Sequence, residues 1–554
     1  MQPVISAARM REIDRLTATE FETPSLLLME AAAEASLGAL AQRFPDSLVN
    51  KKARVLCGPG NNGGDGAALA RALARLGVQV DLILFGKVAD TAGDARTNFE
   101  IVRRLASFEA GSKLKPAPVS FVECVTVAEW EEVARPRKAY DIIVDALFGT
   151  GLTRPLEGIY LQVIQHLSMI RNARERSATV RPFILSLDIP SGLNADLANP
   201  IGDAVKADLT VTFTAPKPAN VLPPVSHFGG ELVIANIGSP ISLLDAARPA
   251  LFLTEAADAR EWLVGTRYTP DSYKNTHGHA LIIAGSRGYS GAAALCGNAA
   301  MRSGAGLVTI ATPVSAQTSV AAAAMPEVMT TALAETDRGA VSDDAIEHIK
   351  TLSSKVNVVA IGPGLSAEDE RTRKFVRAAV EGRTTSVVID ADGLNCLSPW
   401  PNALRGSKDL PIILTPHQGE MRRLLEADDK TALTDRVAAA REFAVTNQVI
   451  LVLKGSRSLV AAPDGRVFVN PTGNPGLGTA GAGDTLTGII AGFLAQSYGT
   501  LSQGADALSA TIAALYIGGL AGDLAANNVG VRTMVASDIQ QHLSEAIRML
   551  DPES

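Results

Sequence analysis

Short apolar runs alternate with amphipathic stretches along most of the chain, a pattern typical of parallel sheets with crossover helices. The first half predicts a helix over 67–76 and strands at 53–57, 78–85, 141–145, 183–187, 209–213 and 231–235. The second half predicts strands at 279–284, 307–310, 356–361, 386–389, 412–414 and 449–453, followed by a hairpin over 458–469. The hydrophobic pattern therefore predicts an α/β protein.

Strand pattern is lost between about residues 240 and 257, so we place a domain boundary there. The predicted domains are residues 1–240 and 258–550. The two halves share a βα rhythm but no motif, so they are not predicted to be a repeat. The longest apolar stretch, 507–522, is shorter than a membrane span and predicts a buried helix.

Composition narrows the class of protein. A chain of 554 residues is too long for one core, and 47% hydrophobic with 20% charged residues is typical of a globular protein. A net charge of −7 argues against a nucleic-acid surface. The four cysteines are scattered, which favours reduced thiols over disulfides or a zinc site. The N-terminus lacks a signal-peptide pattern, so we expect a cytoplasmic protein with neither nucleic-acid nor membrane partners.

A glycine-rich segment in the second half ends in an acid at the start of an apolar helix. It places Gly476, Gly478, Gly481 and Gly483 before Asp484. Bare amides at a helix N-terminus bind anions such as nucleotide phosphates. A carboxylate at that place would handle a proton or orient a hydroxyl group. The segment 454–458 follows a predicted strand and could face the same phosphates.

A second glycine-rich segment, 58–66, lies between a strand and a helix of the first half. It contains Gly-x-Gly-x-x-Gly, but the following strand ends without the acid that a standard NAD dehydrogenase needs. Asp145 and Asp188 each end a predicted strand, so they should converge with 58–66 at the carboxyl edge of the sheet. Either carboxylate alone could instead be a helix cap.

These motifs resemble two known families. The Gly-Ala-Gly-Asp turn at 481–484 resembles the ribokinase-like superfamily. The segments 289–294, 302–308, 361–365 and Thr-Pro-His-Gln-Gly-Glu-Met-Arg-Arg at 415–423 resemble the ADP- or ATP-dependent NAD(P)H-hydrate dehydratases over 258–550. Residues 5–235 resemble the NAD(P)H-hydrate epimerases. The resemblance implies an N-terminal Rossmann-like three-layer domain followed by a C-terminal ribokinase-like α/β domain.

The resemblance also implies site residues. Asp188 would be the general acid/base of the epimerase, and its potassium ligands would be Asn62, Asp145 and Ser191. The other residues expected to contact the epimerase substrate are Asn61, Asn62, Gly63, Gly64, Asp65, Gly149, Thr150, Gly151, Leu152, Thr153, Arg154 and Pro155. The residues expected to hold the dehydratase substrate are Ala293, Gly364, His417, Gln418, Gly419, Glu420, Met421, Arg422, Arg423 and Asp484. The residues expected to bind nucleotide are Lys454, Gly455, Ser456, Arg457, Ser458, Asn474, Pro475, Gly476, Leu477, Gly478, Thr479, Ala480, Gly481, Ala482 and Gly483.

The implied activity is repair of hydrated NADH and NADPH (NADHX and NADPHX). Epimerisation at C6 is a proton-transfer problem suited to one carboxylate. Dehydration of the S form would be coupled to ADP or ATP, with Asp484 accepting the hydroxyl proton. We expect Mg²⁺ for the phosphoryl chemistry, a preference for ADP, and a homo-oligomer. Alone, His417 could be a helix cap and Glu420 a solvated acid of the first turn.

Two rival functions remain open from the sequence. The nearest is a ribokinase-like vitamin or sugar kinase fused to a Rossmann-like binding domain, which would leave phosphate on its substrate. The other is a non-catalytic nucleotide sensor, which the loss of Asp188 or Asp484 would have favoured; both residues are present.

Overall fold

The computed structural model describes residues 1–108, 119–135, 139–175, 182–501 and 504–553. The chain forms two compact units, Gln2–Pro249 and Ala250–Ser554, with Met1 counted in the second. We call them the N-terminal and C-terminal domains. Each contains its own sheet and helices, as the alternating pattern of the sequence predicts.

The N-terminal domain contains eight helices and eight strands among its described residues. Its strands are β1 Gln2–Pro3, β2 Lys52–Cys57, β3 Gln79–Leu84, β4 Val119–Glu123, β5 Ile142–Ala146, β6 Phe183–Leu187, β7 Leu209–Phe213 and β8 Glu231–Ala235. Its helices are α1 Ala7–Thr19, α2 Ser25–Arg43, α3 Asn61–Arg75, α4 Gly93–Phe108, α5 Val127–Ala134, α6 Gly158–Glu175, α7 Pro218–Val221 and α8 Ile241–Ala246.

The N-terminal sheet is parallel, in the order β4-β3-β2-β5-β6-β7-β8. Alternate residues of its strands point to opposite faces: Val55 and Val144 join one core with α2, α3 and α4, while Leu56 and Ile143 join another with α5 and α6. The domain is therefore a three-layer α/β structure. The chain leaves β2 in one direction and returns to β5 on its other side, so the strand order reverses between β2 and β5.

Two features of this domain differ from the sequence prediction. Helix α3 begins at Asn61, whereas the prediction began it at residue 67 and left 58–66 as a loop. The glycines there are not a flexible linker, since Gly63, Gly64 and Gly66 are all buried within the helix. Strand β4 was not predicted because only its first residue is buried, so it has no continuous apolar run.

The C-terminal domain supplies ten further strands among its described residues. They are β9 Leu251–Leu253, β10 His279–Ile283, β11 Leu307–Pro313, β12 Met329–Leu333, β13 Val358–Ile361, β14 Ser386–Ile389, β15 Ile412–Leu414, β16 Ile450–Leu453, β17 Leu459–Ala461 and β18 Val467–Val469. Its helices are α9 Ala256–Gly265, α10 Ser290–Arg302, α11 Val314–Ala323, α12 Ile346–Ser353, α13 Glu370–Glu381, α14 Ala391–Cys396, α15 Gln418–Leu424, α16 Arg436–Asn447, α17 Ala482–Thr500, α18 Ala507–Val529 and α19 Ala536–Leu550.

These ten strands run in the order β9-β18-β17-β16-β15-β14-β13-β10-β11-β12. Strands β10 to β16 pair in parallel, and β16, β17 and β18 pair in antiparallel fashion, which confirms the predicted hairpin. Helices α10, α17, α18 and α19 contribute to the largest core cluster against one face of the sheet. The strand order reverses between β10 and β13.

Elements near the domain boundary and in the C-terminal domain correct the prediction. Strand β9 and helix α8 occupy the stretch from 240 to 257 that we expected to lack strands. Helix α18 extends to Val529, so it is longer than the predicted 507–522 and, by length and apolar composition alone, could cross a membrane. It packs instead against α9, α17 and α19, with 67% of its most apolar 18-residue window buried. It is a core helix of the domain.

Candidate active sites

The reversal point of the N-terminal sheet brings two predicted segments together. The amide of Gly58, after β2, donates to the carbonyl of Ala146, at the end of β5, with N···O 3.0 Å. A Cβ on Gly63 would lie 1.8 Å from the Gly58 carbonyl oxygen, so only glycine allows α3 to start this close to β2. Ligands of open parallel sheets bind at this kind of reversal point.

A cavity of about 550 Å³ opens at this edge of the sheet; we call it the N-terminal cavity. Among the predicted substrate residues, those that line it are Asn61, Asn62, Asp65, Gly149, Thr150, Gly151 and Asp188. The remaining predicted residues do not line it: Gly63 and Gly64 are buried in α3, Leu152 packs into the core, and Thr153, Arg154 and Pro155 are exposed. The structure thus brings together about half of the predicted set.

Asp188 has an unusual backbone conformation, and one of its carboxylate oxygens is held by several hydrogen bonds. Its φ of 62° is unusual for a residue with a side chain and is typical of functional sites. Its Oδ1 accepts hydrogen bonds from Lys217 Nζ at 2.5 Å, Thr212 Oγ1 at 3.1 Å and the Phe213 amide at 3.4 Å. A Cβ on Gly149 would lie 3.4 Å from Oδ2, so Oδ2 faces the loop after β5.

Lys217 is a buried cation, and all three hydrogens of its ammonium group are donated to protein acceptors. Its side chain is only 1% exposed and donates to Asp188 Oδ1, Thr212 Oγ1 and the Phe213 carbonyl. Lys217 was not predicted, because this residue lies in a proline-rich stretch without a motif. Its charge compensates that of Asp188 and fixes one carboxylate oxygen.

Two further carboxyl groups line the N-terminal cavity beside this ion pair. Burial raises the pKa of Asp14, on α1, to about 6; Lys217 opposes that change and Asp188 adds to it. Burial also raises the pKa of Asp65, on α3, and the charges of Asp188 and Asp14 raise it further. Asp14 was not predicted, because an acid in an amphipathic helix carries no sequence signal of its own.

The predicted potassium ligands are oxygen-rich and buried. Asp145 accepts hydrogen bonds from Ser191 Oγ at 2.5 Å, the Ser191 amide at 2.9 Å and Ser186 Oγ at 2.8 Å. Burial nevertheless raises the pKa of Asp145, against the effect of these bonds. Both Asn62 Oδ1 and Nδ2 are buried without a hydrogen-bond partner among the described residues. A buried carboxylate and an amide oxygen without a partner are ligands of the kind that a hard monovalent cation takes.

In the C-terminal domain, the predicted anion site lies at the start of α17. Gly481 is the N-cap residue, and its φ of 82° favours glycine. Within the described ranges, the amides of Gly481, Gly483 and Asp484 have no recorded acceptor. Such amides at the positive end of a 19-residue helix form an anion site. Asp484 lies in the first turn of α17.

A buried ion pair lies beneath this anion site. Lys454 Nζ donates to Asp390 Oδ1 at 2.7 Å, and Thr487 Oγ1 donates to Asp390 Oδ2 at 2.7 Å. A Cβ on Gly483 would lie only 3.3 Å from Lys454 Nζ. Burial lowers the pKa of Lys454, but the nearby acids Asp390, Glu420 and Asp484 outweigh that effect, and the pKa is raised. The amine is therefore a fixed positive charge beside the α17 N-terminus.

Asp484 has the properties of a general base. Burial raises its pKa to about 6; Asp390 and Asp392 add to the rise and Lys454 opposes it. A carboxylate with a pKa close to the working pH is an effective proton acceptor. Asp484 was predicted from the sequence. Asp390 and Thr487 were not, because Asp390 is distant from Asp484 in sequence and neither residue stands in a local motif of its own.

The segment 417–423 combines capping with burial. His417 is the N-cap of α15: its Nδ1 accepts from the Gly419 amide at 2.9 Å, while Glu420 Oε2 accepts from the His417 amide at 2.8 Å. His417 is therefore a helix cap, one of the two roles left open. Glu420 is buried rather than solvated, and Met421 is fully buried in the core. Gln418 and Arg423 are exposed, while Gly419 and Arg422 are partly buried.

The remaining predicted dehydratase residues lie at the reversal point between β10 and β13. The carbonyl of Gly364, after β13, accepts a hydrogen bond from Ser286 Oγ at 2.8 Å. A Cβ on Gly285 would lie 3.1 Å from the Cβ of Ala293, on α10. The loops after β10 and β13 are thus in contact, and Ala293 itself is fully buried.

Of the predicted nucleotide segments, 454–458 begins at Lys454, and the end of 474–483 approaches Lys454 at Gly483. A short bridge joins His417 to Lys454, and the Lys454 amide donates to the Pro416 carbonyl at 2.9 Å. Arg436, at the start of α16, donates to the Ser456 carbonyl at 3.1 Å, and its Nε is buried without a partner in the described part of the chain. Asn474 caps the 3₁₀ turn Pro475–Gly478 by accepting from the Gly476 amide at 2.9 Å.

Comparisons with known proteins agree with this two-site arrangement. A family model described as NAD(P)H-hydrate dehydratase matches residues 280–545, and one described as YjeF-related protein N-terminus matches residues 25–219. The bifunctional NAD(P)H-hydrate repair enzyme Nnr of Moorella thermoacetica is 38% identical over 551 residues, 99% of this chain and 97% of that one. The chain belongs to this family.

Other bifunctional NAD(P)H-hydrate repair enzymes are nearly as similar. The protein of Thermofilum pendens is 36% identical over 99% of this chain and 97% of its own length. The crystal structure of ADP/ATP-dependent NAD(P)H-hydrate dehydratase from Bacillus subtilis, co-crystallised with ATP and Mg²⁺, is 29% identical; it covers 54% of this chain and 99% of that one, with a TM-score of 0.46. Membership confirms the predicted family, the α/β fold class and the assignment as a bifunctional repair enzyme.

Among the described residues, no group of three or more His, Cys, Asp or Glu side chains is placed to hold a metal ion. This absence says nothing about potassium, because amide and hydroxyl oxygens also bind that ion. It equally leaves Mg²⁺ open, since proteins usually hold this ion through one or two carboxylates together with substrate phosphates.

Proposed function

We propose that the N-terminal domain epimerises the R and S forms of hydrated NADH and NADPH, and that the C-terminal domain dehydrates the S form with a nucleotide. Family membership establishes the repair function of the whole chain. The observation that supports this division most directly is Asp484, a half-buried carboxyl with a raised pKa at the start of α17, where backbone amides are unpaired among the described residues. The predicted boundary near residues 240–258 is part of this proposal.

In the dehydratase step, Asp484 takes the proton of the C6 hydroxyl as that oxygen attacks the terminal phosphorus of the nucleotide. The bond from that phosphorus to the bridging oxygen breaks, so the nucleotide leaves one phosphate shorter, as AMP from ADP or as ADP from ATP. The amides of Gly481 and Gly483, together with the Lys454 amine, stabilise negative charge on the transferring phosphoryl group. The ring nitrogen lone pair then expels phosphate from C6, and loss of a proton from C5 restores the double bond. A bound Mg²⁺ would neutralise charge on the nucleotide phosphates.

In the epimerase step, Asp188 handles a proton at the C6 hydroxyl through Oδ2. Its Oδ1 is fixed by Lys217, Thr212 and Phe213, so Oδ2 is the oxygen left for substrate. We assign potassium to Asn62, Asp145 and Ser191, where it would offset the buried charge of Asp145. Titrating the protein with K⁺ and with Na⁺ while following epimerisation tests this assignment.

We further propose that ADP is preferred to ATP. The reacting phosphoryl group must lie in line with the C6 oxygen, so displacement by one phosphate position should strongly affect the rate. Kinetics on the purified S hydrate, with ADP and with ATP freed of ADP, should give the higher kcat/KM for ADP. A clear preference for ATP would contradict the proposal while leaving the dehydratase assignment intact.

One assay separates this function from its nearest rival. NADH absorbance should return when ADP or ATP is added to the R and S hydrate mixture, with inorganic phosphate released. A vitamin or sugar kinase would instead retain phosphate on its product. The homo-oligomer stays a prediction that light scattering can check. We also propose a cytoplasmic location, for which the four buried free cysteines are the support.

A further inference from the structure

Three carboxyl groups and one ammonium group meet in the N-terminal cavity from different parts of the fold. Asp14 comes from α1, Asp65 from α3, and Asp188 from the turn after β6, while Lys217 precedes α7. Arg11 and Asp94 also line the cavity. Of these groups, only Asp188 has a role in the epimerase step proposed above.

Lys217, the buried ammonium group of this cavity, forms its ion pair with Asp188. Lys217 uses its three hydrogens on Asp188, Thr212 and the Phe213 carbonyl, so none remains for another acid. Asp14 Oδ1, by contrast, is buried without a hydrogen-bond partner among the described residues. A buried carboxylate oxygen without a partner is normally destabilising, and Asp14 as a whole is only half-buried and lines the cavity, which favours a role in which this carboxyl group meets a ligand.

Inversion at C6 by loss and return of the hydroxyl group requires two proton transfers on opposite faces of the ring, which is more than the one carboxylate expected from the sequence provides. The hydroxyl group leaves from one face of the ring and returns to the other. A proton must be supplied on the first face and removed on the second. Asp188 is fixed through Oδ1 and offers only Oδ2, so a second proton-transfer group on another element is needed.

We infer that Asp14 is this second group, the partner of Asp188 in epimerisation; the inference rests on the epimerase function proposed above. In one direction the Asp14 carboxyl protonates the C6 hydroxyl, and the C6–O bond breaks with its electron pair going to oxygen. The ring nitrogen lone pair forms a C=N bond, and water departs. Water then adds to the opposite face, the C=N electrons return to nitrogen, and the released proton passes to Asp188.

After each turnover, solvent takes the proton from Asp188 and returns one to Asp14, since both carboxyl groups face a cavity open to water. In the opposite direction their roles are exchanged. Burial raises the pKa of Asp14 to about 6, so a fraction of this group stays protonated near neutral pH. The protonated form is lost as pH rises, so the step that needs Asp14 as an acid should slow above about pH 6.

The test compares Asp14→Asn with Glu12→Gln in the full-length protein. Glu12 lies on the same helix, exposed and paired with Arg15 at 2.8 Å, so its variant is the matched control. Interconversion of purified R and S hydrates is followed by chromatography, with the spontaneous rate subtracted. Asp14→Asn should slow both directions by about 10²- to 10⁴-fold, and Glu12→Gln by less than about twofold.

Two further readouts separate proton transfer from a structural role. Dehydration of the S hydrate with ADP should be unchanged in Asp14→Asn, and Asp14→Glu, which keeps a carboxyl, should retain part of the epimerase rate and its decline at higher pH. A wild-type rate that does not decline between about pH 5 and about pH 8 overturns the inference, even if Asp14→Asn does not fold. So does an Asp14→Asn rate within about twofold of wild type.

These outcomes also distinguish the inference from the proposed function. If the wild-type protein does not accelerate interconversion of the hydrates at all, the epimerase assignment fails. If the wild type is active and Asp14→Asn is equally active with the same pH profile, only the role of Asp14 fails.

Discussion

Asp484 combines partial burial, a raised pKa and a position in the first turn of α17. If it is the base, Asp484→Asn should fold and bind nucleotide but lose dehydration by about 10²- to 10⁴-fold, because an amide cannot take the hydroxyl proton. The wild-type kcat/KM should fall as pH drops below about 6, since protonation removes the base. Stopped assays on the S hydrate from acid to neutral pH measure both effects; a variant of near wild-type activity would exclude Asp484 from the mechanism.

Asp390 should act on the reaction through its neighbours. It bonds Lys454 and Thr487, and its charge is a cause, after burial, of the raised pKa of Asp484. Asp390→Asn removes that charge, so the pKa of Asp484 should fall and the acid limb of the pH profile should move to lower pH. The kcat should also fall, because Lys454 loses its partner beneath the anion site. Asp464→Asn, in an exposed turn, is the control; an unmoved acid limb would contradict the coupling.

The residues found from sequence and those missed differ in a physical respect. Asp484 and Asp188 stand in local motifs, where glycines and a strand end mark them. Lys217, Asp390 and Asp14 are placed by tertiary contacts: Asp390 meets Lys454 across 64 positions of the chain, and Asp188 meets Lys217 across 29. Ion pairs between residues so far apart along the chain leave no recognisable pattern in a single sequence.

At the scale of elements, continuous apolar runs located the buried strands well. Strands β6, β7, β14 and β15 have the predicted bounds, and all their residues except Phe183 are buried. Strand β8 also has the predicted bounds, although one of its residues is exposed and the other four are partly buried. The start of α3 was wrong because glycines usually mark a loop. Close packing against the chain beside β2 keeps them helical here. The glycines of α3 are thus required by packing distance rather than by flexibility.

Gly63→Ala tests that explanation. A Cβ there would lie 1.8 Å from the Gly58 carbonyl oxygen, a clash that no side-chain rotation relieves. The free energy of unfolding should fall by about 1 to 3 kcal/mol and epimerisation should drop with it, because the segment before α3 must move. Gly38→Ala, in α2, meets no atom within 4 Å and should gain about 0.4 to 1 kcal/mol. Denaturant unfolding followed by circular dichroism measures both; an equal effect of the two substitutions would contradict the packing argument.

At the scale of the whole molecule, both domains apply the same topological rule to different chemistry. In each domain the order of the parallel strands reverses at one point, between β2 and β5 or between β10 and β13, and each candidate site includes loops from the two strands at that point. In the N-terminal domain the reversal gathers carboxyl groups around a buried lysine. In the C-terminal domain a helix N-terminus adds an anion site beside a lysine. Proton transfer and phosphoryl transfer are thus assigned to separate sets of residues.

That separation predicts that one activity can be removed alone. Asp188→Ala should leave ADP-dependent conversion of the purified S hydrate unchanged, because every residue assigned to dehydration lies in the C-terminal domain. The R hydrate should then disappear only at the slow rate of spontaneous epimerisation, so a mixture of both forms would show a fast phase and a slow remainder. Asp484→Asn should show the reverse behaviour, interconverting the two forms without restoring NADH. Absorbance traces on the pure S form and on the mixture measure this for each variant. If Asp188→Ala also abolished turnover of the S form while remaining folded, the two sites would not be independent.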